Sequence, residues 1–286
     1  MYDFYSDTKT KPSKEMLEYA LGRTFGDEQK DEDPTTLELC ERVASLLGKE
    51  SAVFLPSGTM CNEIAISVQT SPGDEILCDR TCHIINFEGG APAAMSGVMI
   101  HPLDGKHGQF TEEDVSQALR PKSRHMPISR MLCAEQTGNL GGGGVWPVEK
   151  LDSVAQVAKK SGLSTHLDGA RLLNACAKTG ISAARYSHEY DSCWIDFTKG
   201  LGAPVGAVLA GSTDFIEAAW RVKQRIGGAM RQSGVIASFC LYALEKNVER
   251  LADDHALAIK ISSSLEHLHG IVNVLPVETT IIIADL

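Results

Sequence analysis

The stretch CWIDFTKGLGAPVGAVLAG, residues 193–211, decides the fold class. An apolar run that ends at Phe197 predicts a buried strand, and a turn rich in glycine and proline follows it directly. The apolar run 205–211 predicts a second strand. The connection is too short for a helical crossover, so we expect this second strand to pair antiparallel within its sheet. One basic residue, Lys199, lies where the first strand gives way to the turn.

The rest of the chain alternates between strand-like and helix-like segments. Short apolar runs predict strands at 51–56, 74–79, 97–103, 129–136, 162–169 and 279–286. Amphipathic windows predict helices at 36–48, 59–70, 111–120 and 147–161, and a helical region from 213 to 268 that is interrupted near 225–234. This alternation predicts an α/β fold, a mainly parallel sheet with one antiparallel strand, flanked by helices.

Composition excludes several function classes. The chain has 286 residues, a net charge of -10 and no basic block, so we expect no nucleic-acid partner. An apolar run of about 18 residues is absent, so we expect no membrane span. The N-terminus has neither a signal core nor a transit pattern, which favours a cytoplasmic location. The length suits one large domain plus a smaller appendage.

The cysteines predict buried thiols in a reducing compartment. There are eight, scattered and mostly in apolar surroundings, which is not the pattern of a disulfide framework. Cys78, Cys82 and His83 are close in sequence, but no second cysteine pair has ligand spacing. We therefore predict no metal site.

Candidate site residues collect where strands end, which is where open α/β sheets bind ligands. Ser57, Gly58 and Thr59 lie between a strand and a helix, where free N–H groups bind phosphate, although a capped helix start has the same pattern. No phosphate-loop motif or dinucleotide fingerprint is present, which argues against NAD.

Two further strand ends carry titratable side chains. Asp168 ends an apolar run, either as part of an Asp-Gly turn or as a buried carboxylate that keeps a pyridine nitrogen protonated. Arg171 then either clamps a substrate carboxylate or makes a structural ion pair. His83 is either a satisfied, partly buried histidine or a ring that stacks on a flat cofactor and moves a proton.

Lys199 is the most informative candidate. A surface lysine at a strand end is the alternative, but an apolar run precedes Lys199 and Gly-Leu-Gly follows it. Burial among small residues disfavours an ammonium group and frees a nucleophilic amine that can bond to an aldehyde. Together these candidates indicate pyridoxal phosphate. They supply an amine for an aldehyde, a phosphate site, a carboxylate for a pyridinium nitrogen, a stacking ring and a clamp for a substrate carboxylate.

Motifs in order along residues 2–245 resemble the L-threonine aldolases of the low-specificity type. They are FYSDTKTKPSKEML, FLPSGTMCNEIA, CHIINFEGG, HLDGARLLNA, FTKGLGAPVGAVLAG and GGAMRQSG. That family belongs to the fold-type-I, aspartate-aminotransferase-like pyridoxal phosphate enzymes. The resemblance implies cleavage of L-threonine or L-allo-threonine to glycine and acetaldehyde. It also implies a cytoplasmic homodimer or homotetramer with shared active sites.

The resemblance also assigns roles to individual residues. Lys199 would bind the cofactor covalently, with Thr198 beside it, and Asp168 would pair with the pyridine nitrogen. His83 would stack on the ring and assist proton transfer. Ser57, Gly58 and Thr59 would hold the phosphate, Ser6 and Arg171 would bind the substrate carboxylate, and Arg231 would reach the site of a neighbouring subunit.

The chain departs from the family pattern in several places. Lys30 stands where the family has a tyrosine, and Gln224 replaces a basic residue, although Lys223 and Arg225 flank it. We expect a large cofactor-binding domain, including the N-terminal arm, over 1–245. A linking helix and the start of an incomplete small domain would occupy 246–286.

Three alternatives stay open from the sequence. One is a related lyase that uses the same cofactor, either an aryl-serine aldolase or a β-eliminating enzyme. Another is an inactive paralogue or fragment that binds the cofactor without turnover. The third is an α/β domain that binds a different phosphate ligand.

Overall fold

Seven strands form one mixed sheet at the centre of the protein, which a computed structural model describes for residues 3–271 and 273–285. They are β1 (Ser51–Leu55), β2 (Asp74–Asp79), β3 (Met99–Leu103), β4 (Ile128–Glu135), β5 (Ser164–Gly169), β6 (Ser192–Asp196) and β7 (Ala207–Gly211). Their spatial order is β1-β7-β6-β5-β4-β2-β3. Strand β7 pairs antiparallel with β1 and β6, and the other neighbours are parallel. The predicted fold class is confirmed.

The turn between β6 and β7 explains why β7 reverses direction. The Ala203 N–H donates to the Phe197 carbonyl (2.8 Å), and the Phe197 N–H donates to the Gly206 carbonyl (3.1 Å). Gly202 has a φ of 79°, a left-handed conformation that glycine adopts at little cost. The chain therefore folds back at once and returns beside β6, as its short connection predicts.

Helices cover both faces of the sheet. They are α1 (Lys14–Leu21), α2 (Pro34–Leu47), α3 (Gly58–Gln69), α4 (His83–Asn86), α5 (Ala91–Ser96), α6 (Glu112–Ala118), α7 (Val148–Lys160), α8 (Leu172–Thr179), α9 (Ala183–Ser187), α10 (Thr213–Arg225), α11 (Gly234–Lys246) and α12 (Leu251–Leu265). Val53 and Leu55 of β1 pack with α3 and α10, whereas Phe54 packs with α2 and α11 on the opposite face. Alternate side chains of a strand point to opposite faces, so both faces bury core.

Local sequence signals set where helices begin and end. Asp33 caps α2 through a hydrogen bond from the Thr36 N–H (2.9 Å), and Gly48 ends the helix with a φ of 61°. Thr111 and Asp114 form a reciprocal capping box at the start of α6, within the helix window predicted at 111–120.

The strand prediction for 279–286 is wrong over most of its length. Within 279–285, the part of this range that the structure describes, strand is confined to Ala284–Asp285 (β9), which pairs with Asn273–Val274 (β8). The segment before β9 is held by tertiary contacts instead. Thr279 donates its hydroxyl to the Gly143 carbonyl (2.8 Å), and Glu278 accepts the Val145 N–H (3.1 Å). These bonds fix an irregular conformation against the glycine run. Residues 1, 2, 272 and 286, which fall within the predicted domain ranges, lie outside the described residues.

Three further observations bear on the sequence predictions. All eight cysteines are free thiols, and six of them are buried. Within residues 3–271 and 273–285, no helix combines the length and apolarity needed to cross a membrane. In the same part of the chain, no three His, Cys, Asp or Glu side chains are grouped to hold a metal ion. The carboxyl ends of β1, β2, β4, β5 and β6 meet at one edge of the sheet, and the site residues predicted at those strand ends lie there.

Candidate active site

Lys199 faces the interior at the end of β6. Only 14% of its side chain is exposed, and its ammonium group pairs with Asp196 and lies 5.7 Å from the centre of the Trp194 ring. The same small cavity is lined by Lys199 and by the turn 169–171 that follows β5. The surface-lysine alternative is therefore wrong, and the amine lies beside the neighbouring strand end.

Asp196 was not singled out from the sequence, although an acidic residue inside an apolar strand is a signal. Its side chain is 6% exposed. Besides pairing with Lys199, it accepts hydrogen bonds from the Thr198 N–H (2.8 Å) and the Thr198 hydroxyl (2.7 Å). Thr198 thus fixes the position of the Asp196 carboxylate, which in turn pairs with Lys199.

Asp168 is buried at the end of β5, with 1% of its surface exposed. Its Oδ1 accepts the Ala170 N–H (3.1 Å), and its Oδ2 accepts from Asn62 Nδ2 (2.8 Å). Burial raises the pKa of Asp168 to about 6, against the opposing effects of His83 and the Asn62 hydrogen bond. The carboxyl group therefore closes the Asp-Gly turn and is buried, and its pairing with a pyridine nitrogen stays a prediction.

The orientation of Asn62 on α3 is fixed by two donors to its carbonyl oxygen. Trp194 Nε1 donates to Asn62 Oδ1 (2.7 Å), and His166 Nε2 lies 3.0 Å from the same atom. Burial lowers the pKa of His166 to about 3, so the imidazole is neutral. Its other nitrogen is 2.7 Å from the Ser192 hydroxyl, which can donate to it.

Because its oxygen is occupied in this way, Asn62 must direct its amide hydrogens to carboxylates. Nδ2 donates to Asp168 Oδ2 (2.8 Å) and to Glu88 Oε1 (2.7 Å). Sequence reasoning missed Asn62 and Glu88, although an asparagine on the buried face of the helix after Ser-Gly-Thr is an available signal. Asn62 and Glu88 thus connect Asp168 to His83 through hydrogen bonds.

His83 begins α4 and bridges two acidic residues. The backbone N–H of His83 donates to Glu135 Oε2 (2.9 Å), and the ring Nδ1 lies 2.7 Å from Glu88 Oε1. Burial lowers the pKa of His83, but the Glu88 hydrogen bond and the Asp168 and Glu88 charges raise it more, so the net shift is upward. With Nδ1–H donating to Glu88, Nε2 is the ring nitrogen that remains for chemistry.

The segment 57–59 joins β1 to α3. The Ser57 hydroxyl accepts the Met60 N–H (3.3 Å), so the predicted cap exists. A Cβ at Gly58 would lie 2.2 Å from the Trp194 ring, so the backbone passes too close to the ring for any side chain. The first N–H groups of a helix have no partner within it, so this start also suits an anion.

Arg171 is paired with the N-terminal arm. Its Nε and Nη2 donate to Asp7 Oδ2 (2.7 Å) and Oδ1 (2.8 Å), and its side chain is 7% exposed. Burial opposes ionisation of Asp7, but Arg171 outweighs it and lowers the pKa of that carboxyl. Ser6 accepts the Thr8 N–H (3.2 Å) at the start of the same short turn. The structural ion pair predicted as an alternative is present, and the substrate clamp stays a prediction.

Three basic residues lie apart from this group. The Arg231 side chain is 64% exposed and pairs with Asp27 (3.0 Å). Lys30 is exposed. Lys223 is fully buried and pairs with Glu28 (2.8 Å), so it does not compensate for Gln224 in binding a ligand. The reach of Arg231 into a second subunit stays a prediction.

Comparisons with known proteins agree on one family. The model of the beta-eliminating lyase family matches residues 3–286. A low-specificity L-threonine aldolase from Arabidopsis thaliana is 39% identical over 291 residues, which cover 99% of this chain and 81% of that protein. The Escherichia coli K12 low specificity L-threonine aldolase is 36% identical, covering 93% and 79%. The structure of Leishmania major threonine aldolase superposes with a TM-score of 0.86 at 22% identity, covering 98% and 83%, which supports the fold. This chain belongs to the beta-eliminating lyase family and, within it, to the low-specificity L-threonine aldolases.

Proposed function

We propose that this protein is a pyridoxal phosphate-dependent aldolase that cleaves L-threonine and L-allo-threonine to glycine and acetaldehyde. One observation carries the proposal. Lys199, with only 14% of its side chain exposed, lines the same cavity as the turn that begins at the buried Asp168. The names of the relatives support the reaction, since low-specificity L-threonine aldolases at 34–39% identity cover nearly the whole chain.

The residues at this edge of the sheet fit pyridoxal phosphate. Asp168 Oδ1 and Oδ2 each accept one hydrogen bond from the described residues, which leaves lone pairs for a pyridinium N–H. The start of α3 at Gly58 suits the phosphate, and the partly exposed His83 ring suits stacking. Lys199 would hold the cofactor through its side-chain amine.

When bound, the cofactor supplies an electron sink for the pair released as the substrate Cα–Cβ bond breaks. Asp168, aligned by Asn62, would keep the pyridine nitrogen protonated, because its negative charge favours the cation. The apolar ring of Trp194 lies beside both Gly58 and Lys199. The hydrogen bond from Asn62 would hold the Asp168 carboxylate in place for this role.

His83 would move the proton in the reaction. Its Nε2 would accept the proton of the substrate β-hydroxyl while its Nδ1–H donates to Glu88. Removal of that proton lets the Cβ–O group become the carbonyl of acetaldehyde as the Cα–Cβ bond breaks. An ordered water is the alternative base.

Arg171 and Ser6 would bind the substrate carboxylate. Asp7 occupies the side-on face of the guanidinium, formed by Nε and Nη2. The end-on face, formed by Nη1 and the second Nη2 hydrogen, can still donate hydrogen bonds to a substrate carboxylate. Arg171 can therefore hold Asp7 and a substrate at the same time.

The assembly, location and domain division belong to the same proposal. We propose a cytoplasmic homodimer or homotetramer in which Arg231 contacts the site of a neighbouring subunit. We also propose a large domain over 1–245 and a linking helix with the start of a smaller domain over 246–286. Sedimentation at several protein concentrations, with Arg231→Ala as the interface variant, tests the assembly.

Product analysis tests the reaction. The purified protein, loaded with pyridoxal phosphate and given L-threonine or L-allo-threonine, should release equal amounts of glycine and acetaldehyde. The Lys199→Ala variant should release neither. Cofactor absorbance without acetaldehyde would contradict the proposed activity and favour the cofactor-binding paralogue.

The match to the beta-eliminating lyase family favours a second candidate within the same chemistry. A β-eliminating lyase or an aryl-serine aldolase would use the same Lys199 and Asp168 and differ only over the substrate Cβ. Pyruvate and ammonia from serine would indicate elimination. Benzaldehyde from phenylserine in preference to acetaldehyde from threonine would indicate the aryl-serine aldolase.

A further inference from the structure

A second buried carboxyl group lies behind His83 and Glu88. Glu63 of α3 is 2% exposed, and the Glu88 side chain is fully buried. The two carboxyl groups lie within hydrogen-bonding reach of each other. Two adjacent carboxylates in a buried position repel strongly, so such a pair is stable only when it shares a proton or has a cation beside it.

The hydrogen bonds around the pair show which carboxyl group is ionised. Glu88 Oε1 accepts from Asn62 Nδ2 (2.7 Å) and pairs with His83 Nδ1 (2.7 Å). Among the described residues, neither oxygen of Glu63 and not Glu88 Oε2 has a donor. Two donors favour an anionic Glu88, and a proton on Glu63 would satisfy Glu88 Oε2.

Among the described residues, Lys199 is a cation whose charge acts on His83, but it already pairs with Asp196. Asp168 adds a further negative charge near His83 and Glu88. Lys223 is on α10, which also packs against α3, but its ammonium group forms an ion pair with Glu28. Burial, followed by the charge of Glu88, raises the pKa of Glu63 to about 8. Glu63 is therefore neutral at pH 7, and the cluster formed by Glu63, Glu88 and His83 contains one stored proton.

We propose that Glu63 is a positioning residue that shares a proton with Glu88 and thereby controls how readily His83 takes up a proton. While Glu63 is neutral, it donates to Glu88 and weakens that carboxylate as an acceptor for the His83 Nδ1–H. When Glu63 ionises, a second negative charge stabilises the protonated imidazole. The functional part rests on the proposed role of His83 as the base, whereas the shared proton depends only on the fold.

Infrared spectroscopy of the wild-type protein tests the stored proton. We expect a C=O stretch from a neutral carboxyl group that disappears as the pH rises through about 8. Glu63→Gln, which keeps a donor toward Glu88 but cannot titrate, should lack this band. Glu112→Gln, the same change at an exposed helix position, should keep it. Absence of the band from wild type, or its persistence in Glu63→Gln, would overturn the proposal.

Nitrogen NMR of the imidazoles tests the coupling to His83. The His83 signal, assigned by its loss in His83→Asn, should show a second inflection near pH 8 in wild type and a single transition in Glu63→Gln. The same titration in both proteins would overturn the control of His83. Neither readout requires turnover, so the proposed reaction can fail while the shared proton stands. If the reaction is correct, the pH profile of kcat/KM should lose the same inflection in Glu63→Gln.

Discussion

Asp7 and Arg171 form a two-point ion pair in which the carboxylate covers only the side-on face of the guanidinium. The oxygens lie 2.7 Å from Nε and 2.8 Å from Nη2. Such a pair fixes both the plane and the direction of the guanidinium. The N-terminal arm therefore fixes the direction of the remaining face of Arg171, and Ser6 Oγ lies 3.5 Å from Asp7 Oδ1.

Replacing Asp7 should weaken substrate binding more than turnover. In Asp7→Asn the guanidinium loses its charged partner, and hydrogen bonds to charged groups contribute roughly 1.5–3 kcal/mol. We expect KM for L-threonine to rise roughly 10- to 100-fold with little change in kcat, measured by steady-state acetaldehyde release. Asp3→Asn, which removes an exposed ion pair with Lys9, is the control. A lower KM in Asp7→Asn would mean that Asp7 competes with the substrate carboxylate.

Asn62 should govern the affinity for the cofactor. In Asn62→Asp the Trp194 and His166 donors keep an acceptor, but Asp168 and Glu88 face a third carboxyl group instead of an amide. The pKa of Asp168 should rise above its value of about 6, because the Asn62 hydrogen bond lowers it in the wild type. Pyridoxal phosphate should then bind more weakly in an absorbance titration, whereas the exposed Asn273→Asp control should bind normally. Wild-type affinity in Asn62→Asp would refute this role.

His83 should be needed for the chemical step. If its Nε2 accepts the β-hydroxyl proton, His83→Asn should lower kcat by about 10²- to 10⁴-fold, the usual contribution of a positioned base. The upward pKa shift of His83 places the acidic limb of the wild-type pH–rate profile above the ordinary range of an exposed histidine. The exposed His188→Asn variant serves as control. Full turnover by His83→Asn would assign the base to water.

Glu63 should make the protein less stable as the pH rises. The pKa of Glu63 is raised from 4.5 to about 8, so between these values the unfolded chain releases a proton that the folded protein keeps. This group alone lowers the free energy of unfolding by about 1.4 kcal/mol per pH unit in that range. Urea unfolding of Glu63→Gln should show a flatter pH dependence than wild type, with the larger difference at the alkaline end. Parallel curves for the two proteins would refute the raised pKa.

Much of the fold follows from local patterns. The short connection after Lys199 determines that β7 runs antiparallel, and the alternation of strands and helices determines the parallel remainder. The position of Lys199 beside the turn 169–171 also follows, because the carboxyl ends of parallel strands share one edge of a sheet. These features depend on residues near each other in sequence or on general rules of sheet topology.

The supporting contacts were not predictable in the same way. Asn62 and Asp168 are 106 residues apart, and Asp7 and Arg171 are 164 apart. A pattern shows that such side chains are polar and lie on a buried face, but not which partner they meet. The failed strand at 279–286 has the same origin, since bonds to the distant Gly143 and Val145 decide its conformation.

The most direct test of the account is borohydride reduction of the protein in the presence of pyridoxal phosphate, followed by peptide mass spectrometry. We expect one reduced cofactor adduct, on Lys199, and its loss in Lys199→Ala. A lysine that is not involved, such as the exposed Lys30, should remain unmodified. No adduct, or an adduct elsewhere that persists in Lys199→Ala, would contradict the central claim that this buried amine holds the cofactor.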